Sequence, residues 1–122
     1  MPVPTPTPMK LMLTAAALAA GLALAAPASA KTARCVIHSD GGSYRGPCSY
    51  SVQRGGTFTV KPIGRRFILP GVMMVTVFVD RDGSAAVSGL TGAGINSRWG
   101  DATRSERDNA CWVGDGFSVC AY

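Results

Sequence analysis

The chain is 122 residues long and carries 12 Lys and Arg against 7 Asp and Glu, a formal charge of +5, with four cysteines and one histidine. That length allows one domain beyond a leader and not two, and a single histidine leaves little material for general-base or metal chemistry. The modest positive charge favours anionic partners such as envelope polymers, lipid head groups or acidic proteins, although it serves solubility equally well.

In chain order the first feature is LMLTAAALAAGLALAA, sixteen mostly small apolar residues between Lys10 and PASA. A basic residue, an apolar run and an A-x-A box at Ala28 and Ala30 predict a secretory signal over 1–30, cut after Ala30. Met9-Lys10 makes a better start than PVPTPTP. The run is short for a spanning helix, so no membrane span is expected after cleavage; the alternative is a retained anchor. Cys35 follows Thr32-Ala33-Arg34 rather than the box itself, which argues against a lipid anchor. The exported part, 31–122, holds eleven Lys and Arg (nine of them Arg) against seven acids, a formal +4. A domain of ninety-two residues buries only about 60–65% of its unfolded surface, so covalent staples help it.

CVIHSDGGSYRGPC places Cys35 and Cys48 symmetrically about Gly41-Gly42. A two-residue turn there predicts a hairpin with the cysteines opposite each other and His38 opposite Arg45. Pro47 then falls on a hydrogen-bonding site and has no N–H to give, a conflict that a bulge at Gly46-Pro47 or an edge position would relieve. YSVQ and TFTVKPI flank Arg54-Gly55-Gly56-Thr57, a second reversal. VMMVTVFVD and SAAVSGL flank Asp82-Gly83, a third. Val72–Val79, β-branched and apolar on both faces, is expected to be the most buried strand, with Met73-Met74 as packing.

GLTGAGINSRWGDATRSERDNA, 89–110, reads as one long loop. Structureless loops of that length are usually functional or mobile. Asp101 is placed to cap one helical turn over Ala102–Arg107. The loop carries Ser97, Arg98, Trp99 and Arg104, and a tryptophan beside an arginine is an interface pairing. The alternative is that Trp99 folds back over an open end of the sheet while Arg98 and Asp101 form a surface pair.

The closing ACWVGDGFSVCAY is symmetric about Asp115-Gly116. Counting outward, Cys111 meets Cys120 on a non-hydrogen-bonded site, where Cα atoms approach to about 4.5 Å, within disulfide range. Trp112, Phe117 and Val119 share one face; the disulfide and Val113 share the other. The expected pairs are thus Cys35–Cys48 and Cys111–Cys120, in an exported and oxidising setting. No C-x2-4-C zinc spacing and no C-x-x-C redox pair is present. About seven short strands with regular glycine turns predict an all-β fold, a small antiparallel meander forming a sandwich or barrel.

Chemistry is sparse. His38 and Glu106 lie in different segments, and there is no G-x-S-x-G, H-E-x-x-H or Walker loop. GLTGAG is a weak phosphate cradle, and Asp80-Arg81-Asp82-Gly83 reads as a turn rather than a calcium loop. No catalytic residue, cofactor or metal is expected, and no nucleic acid.

The CVI…GPCSY and ACWVGDGFSVCAY elements resemble a group of small exported proteins of Gram-negative bacteria in which a GPC element and a CW…C hairpin recur around a β-rich body. That resemblance implies export and disulfides and no activity. TGAGINSRWG, 91–100, is similar in flavour to the cleft-entering loop Ser-Ala-Ser-Gly-Ala-Arg-Tyr of small periplasmic β-barrel inhibitors of lysozyme, which carries Ser97 and Arg98 over. The expectation is a periplasmic or secreted, monomeric, non-enzymatic protein presenting 89–110 to an anionic or protein partner, or alternatively an inhibitor of lysozyme-type hydrolases.

Overall fold

A computed structural model describes residues 30–81 and 83–122. The signal expected over 1–30 therefore lies outside the described residues apart from Ala30, as does Asp82.

Eight strands follow one another around a closed antiparallel barrel: β1 (Lys31–Ser39), β2 (Gly42–Val52), β3 (Phe58–Pro62), β4 (Val72–Arg81), β5 (Ser84–Thr91), β6 (Asn96–Arg104), β7 (Cys111–Gly114) and β8 (Phe117–Ala121). The meander closes where β8 pairs with β1, Ile37 opposite Val119 and Val36 opposite Cys120. The Arg34 and Tyr122 backbones extend the seam, exchanging both hydrogen bonds at 3.0 and 2.8 Å. Four reversals crowd one end, at 40–41, 63–71, 92–95 and 115–116; the turn at 53–57, Gly83, the 105–110 loop, Lys31 and Tyr122 lie at the other. We call these the upper and lower rims.

The front hairpin forms in a different register from the one expected. Its turn is Asp40-Gly41, so Ser39 faces Gly42, His38 faces Ser43 rather than Arg45, and Cys35 faces Gly46 rather than Cys48. Proline is the physical reason. Arg34 spends its N–H and C=O on Tyr122, which continues the line of β8, so its pairing with Pro47 on the other side is a non-hydrogen-bonded one. Pro47 therefore owes β1 no donor, and its nitrogen turns toward β3, whose pairing has already ended at Cys48 opposite Pro62. The Pro47 carbonyl accepts the Tyr44 hydroxyl at 2.6 Å instead. A one-residue shift of the turn thus removes the conflict without a bulge, and the disulfide forms diagonally, with Cα atoms 5.8 Å apart. The rear hairpin keeps the expected register: Cys111 faces Cys120 with Cα atoms 4.0 Å apart.

The barrel is filled. Ile37, Val60, Val75, Val77, Val87 and Val119 are fully buried together with the Cys35–Cys48 disulfide. Two loop residues, Ile68 and Leu69, plug the upper end, held by the Ile68 N–H on the Val72 carbonyl at 2.8 Å. Phe58 and Trp112 close the lower end from inside. On β4 only Val75, Thr76 and Val77 are buried; Met73 and Met74 are half-buried beside a register shift, so they are not the central packing expected.

Inward positions on β5, β6 and β7 are small: Ala85, Gly89, Ala102 and Gly114. They make room for rings. A Cβ on Gly114 would stand 2.1 Å from the Phe117 ring and 2.6 Å from the Asp101 carbonyl; one on Gly89 would meet the Trp99 indole at 3.0 Å. Gly114→Ala is accordingly expected to cost about 1–3 kcal/mol through overpacking. Gly41→Ala, with nothing nearer than 3.8 Å, is expected to stay within about 0.5 kcal/mol. Urea unfolding of the two variants checks the contrast.

The two staples act on opposite faces of the wall. Cys35–Cys48 is inside, whereas Cys111 and Cys120 share the outer face with exposed Val113. In the chain-entropy picture each contributes roughly 3 kcal/mol. Replacing Cys111 and Cys120 together by Ser is expected to lower unfolding free energy by about that amount with the barrel intact by circular dichroism. The same change at Cys35 and Cys48 is expected to cost more, because it also leaves hydroxyls in the core.

Candidate functional site

Most of the loop expected over 89–110 is strand. β5 runs to Thr91, β6 starts at Asn96, and only the 92–95 reversal and 105–110 lie outside the strands. The reversal between the strands is tight and well bonded: Thr91 N–H to Ile95 O at 2.9 Å, Gly94 N–H to Thr91 O at 2.9 Å and Ile95 N–H to Thr91 Oγ1 at 3.2 Å. Gly92 N–H reaches the Gly71 carbonyl of the plug loop at 3.2 Å. The helical turn expected at Ala102–Arg107 is likewise absent. The strand continues through Arg104, and Ser105, rather than Asp101, supplies the capping oxygen, accepting the N–H groups of Arg107 and Asp108 at 3.2 Å each.

A β-bulge explains where the candidate residues point. Ser88 pairs with Arg98 and Val87 with Gly100, leaving Trp99 unpaired between them. Following outward Arg98, the Trp99 ring faces inward over Gly89, where it meets Phe117 edge-on at 5.8 Å between centroids, and the extra residue lets Gly100 face inward as well. Trp99 is half-buried and covers part of the upper opening. Arg98 stays outside, its Nη2 2.7 Å from the Asp101 carboxylate. Ser97, Arg98 and Trp99 therefore share the upper rim. Arg104 does not join them: it lies at the far end of β6, opposite Trp112 on the lower rim.

Both rims carry concavities. One at the upper rim, about 250 Å³, is bordered by Asp40, Asp115, Arg98, Trp99 and Phe117. Its two carboxylates come from neighbouring hairpin turns, with Asp40 Oδ1 3.5 Å from where a Cβ on Gly116 would stand. Because Arg98 is already paired with Asp101, this hollow repels small anions. One at the lower rim, about 200 Å³, has Tyr50, Phe58, Trp112 and Arg104 among its walls and no acidic residue. Among the described residues no group of three His, Cys, Asp or Glu is placed to hold a metal ion. His38 stands exposed on the outer wall of β1, far along the barrel from Glu106 on the lower rim.

Sequence reasoning passed over the plug loop. Arg65 and Arg66 are exposed, the first lying over the Tyr44 ring at 5.8 Å and the second over Phe67 at 5.0 Å. Arg66 Nη2 comes within 3.9 Å of a Cβ position on Gly92, so this cation borders the β5–β6 tip. Exposed Ile95, 63% accessible, crowns that tip. The adjacent arginines of IGRRF were the available signal.

The 105–110 loop clamps the rear disulfide from outside. Asp108 accepts the Ala110 N–H at 3.1 Å and the Tyr122 hydroxyl at 2.5 Å, and that hydroxyl lies 3.6 Å from Cys111 Sγ. The Tyr122 hydrogen bond, then the Ala110 N–H, pulls the Asp108 carboxyl below its ordinary 3.8. The same hydrogen bond raises the Tyr122 phenol above its ordinary 10.0.

Comparison with family models, with curated proteins and with solved structures returns no match. The paired cysteines indicate an oxidising compartment, and no helix among the described residues is long and apolar enough to cross a membrane.

The Asp108–Tyr122 bond makes a pH prediction. A lowered carboxyl stabilises above its unfolded value and loses that contribution as pH falls from 3.8 through the folded value; a raised phenol stabilises below 10.0 and loses it as pH climbs past. The stability gap between the wild type and Tyr122→Phe is therefore expected to be flat over about pH 5–9 and to close toward both extremes. Tyr122 is exposed and Asp108 only half-buried, so solvent screening keeps the gap small. Thermal melts across pH measure it.

Proposed function

We propose that this protein is a non-enzymatic binding module of the bacterial periplasm or cell exterior that meets an acidic macromolecular partner through the tip of its β5–β6 hairpin. One observation carries this reading. The tip is fixed by four backbone or side-chain hydrogen bonds, yet it lifts a large isoleucine into solvent, and the Arg66 guanidinium borders the same tip at Gly92. A preordered apolar point flanked by cations suits insertion into an acidic cleft, since little ordering entropy is lost on docking. A filled barrel favours the same reading, because it leaves no interior chamber for a substrate. Arg98 and Ser97 form the shoulder of the contact and Trp99 buttresses it from below. Arg104 belongs to the other rim and takes no part.

A second reading, inhibition of lysozyme-type cell-wall hydrolases, draws on the same protruding hairpin. Such enzymes work with a pair of carboxylates in a cleft, a target of the right sign for Arg65 and Arg66.

Ile95→Asp combined with Arg66→Glu is expected to weaken capture of the partner from an envelope extract by about tenfold or more. Its melting temperature should barely move, because both side chains are exposed. Equal capture by variant and wild type removes the upper rim from consideration. For the second reading, wild-type protein should slow muramidase lysis of cell walls and the double variant should not. Unchanged lysis at large molar excess of the wild type disposes of it.

A further inference from the structure

The lower rim carries a groove that the hairpin reading does not use. Its floor is aromatic: Tyr50 and Phe58 lie 5.1 Å apart between centroids, and the Trp112 edge closes the inner side. Over Trp112 lies the Arg104 guanidinium, 4.5 Å from the ring centroid, with Nη1 donating to the Asn109 carbonyl at 2.8 Å. Stacking and that bond hold the planar fork still, while no hydrogen bond or ion pair among the described residues engages Nη2 or Nε. A shallower hollow continues from Tyr50 and Ala121 to Lys31, whose Nζ stands 5.6 Å from the Tyr50 centroid. No acidic side chain borders either hollow. The Asp108 carboxylate of the neighbouring loop is turned toward the Tyr122 hydroxyl.

We infer that this groove binds an acidic sugar, a hexuronate ring of an anionic glycan, with the ring on the Tyr50 side of the aromatic floor and its carboxylate on Arg104. The charge is complementary and unopposed. A fixed guanidinium with free donors matches a carboxylate bidentately, which a mobile ammonium does not. About 200 Å³ suits one six-membered ring. Tyr50 and Asn109 among the lining residues bring a hydroxyl and an amide, partners that ring hydroxyls need and a bare aryl acid does not. Lys31 then meets the next charge along the chain.

Titration of the isotopically labelled protein with tetragalacturonate, followed by NMR, tests the assignment. Shifts are expected at Tyr50, Arg104, Asn109 and the Trp112 indole, with maltotetraose binding at least about tenfold more weakly. Arg104→Gln should lower the galacturonate affinity about tenfold, and Arg104→Lys should recover only part of it, because the fork is lost even though the charge stays. If Arg104→Gln fails to fold, Lys31→Gln, at the exposed start of β1, carries the comparison and should weaken the tetramer more than the monomer. Equal binding of the neutral glycan, shifts confined to the upper rim, absence of binding or wild-type affinity in the folded variants each overturns the proposal. Benzoate binding more tightly than monomeric galacturonate overturns the sugar in favour of an aryl acid.

Discussion

Closing eight strands leaves an interior only wide enough for side chains to fill. Every other feature follows from how this chain fills it. The ninety-odd residues of the domain supply few large apolar groups, so valines dominate the walls and two loop residues, Ile68 and Leu69, are drafted in to complete the upper end. The Trp99 and Phe117 rings enter where the facing strands give way, over Gly89 and Gly114. With the centre occupied, binding chemistry is displaced to the two rims. They differ in kind: the upper presents a projecting hairpin, the lower a groove.

The staples suit that division. A disulfide within a hairpin spans a short loop and restrains local unfolding of two strands rather than the whole chain. Cys35–Cys48 fastens β1 to β2 from within, and Cys111–Cys120 fastens β7 to β8 from without. Since β1 also pairs with β8, the four stapled strands are the contiguous run β7-β8-β1-β2 across the closure seam. That seam is where a meander barrel has its most distant contact in sequence and its largest loop-closure cost. Rigidity concentrated there leaves β3 to β6 to hold themselves by packing.

The sequence told which cysteines pair and that the chain is a β meander, because turn dipeptides and alternation are local signals. It was less able to give register. Two turn candidates overlap in Asp40-Gly41-Gly42, and the choice between them was made by a residue seven positions away: Pro47 excludes the register that puts the cysteines face to face. The conflict was visible in the sequence; its resolution by a shifted turn was not, because that required knowing that Arg34 bonds to β8. β6 was missed for a similar reason. Its inward residues, Ser97, Trp99, Gly100, Ala102 and Arg104, lose period-two alternation at the bulge, and Asn, Ser, Gly, Asp and Arg are poor strand formers. Tertiary pairing with β5 overrode both signals.

The same bulge decides what the candidate residues can do. Regular alternation would put Arg98 and Asp101, three residues apart, on opposite faces of β6; the extra residue brings both outside and leaves Trp99 and Gly100 both facing in. With it, the indole is spent as a lid on Phe117 and the guanidinium is held by Asp101 three residues on. The most conspicuous pair in the sequence thereby becomes scaffold, and the side chains left free at that rim are ones with weaker sequence signatures, Ile95, Arg65 and Arg66. At the lower rim the outcome is reversed. Arg104 is the last residue of β6 and faces Trp112, so it too is stacked, but on a ring that no carboxylate approaches. Stacking there orders the guanidinium without neutralising it, and an ordered, unneutralised charge over an aromatic floor is the arrangement in this barrel best prepared for a small anion.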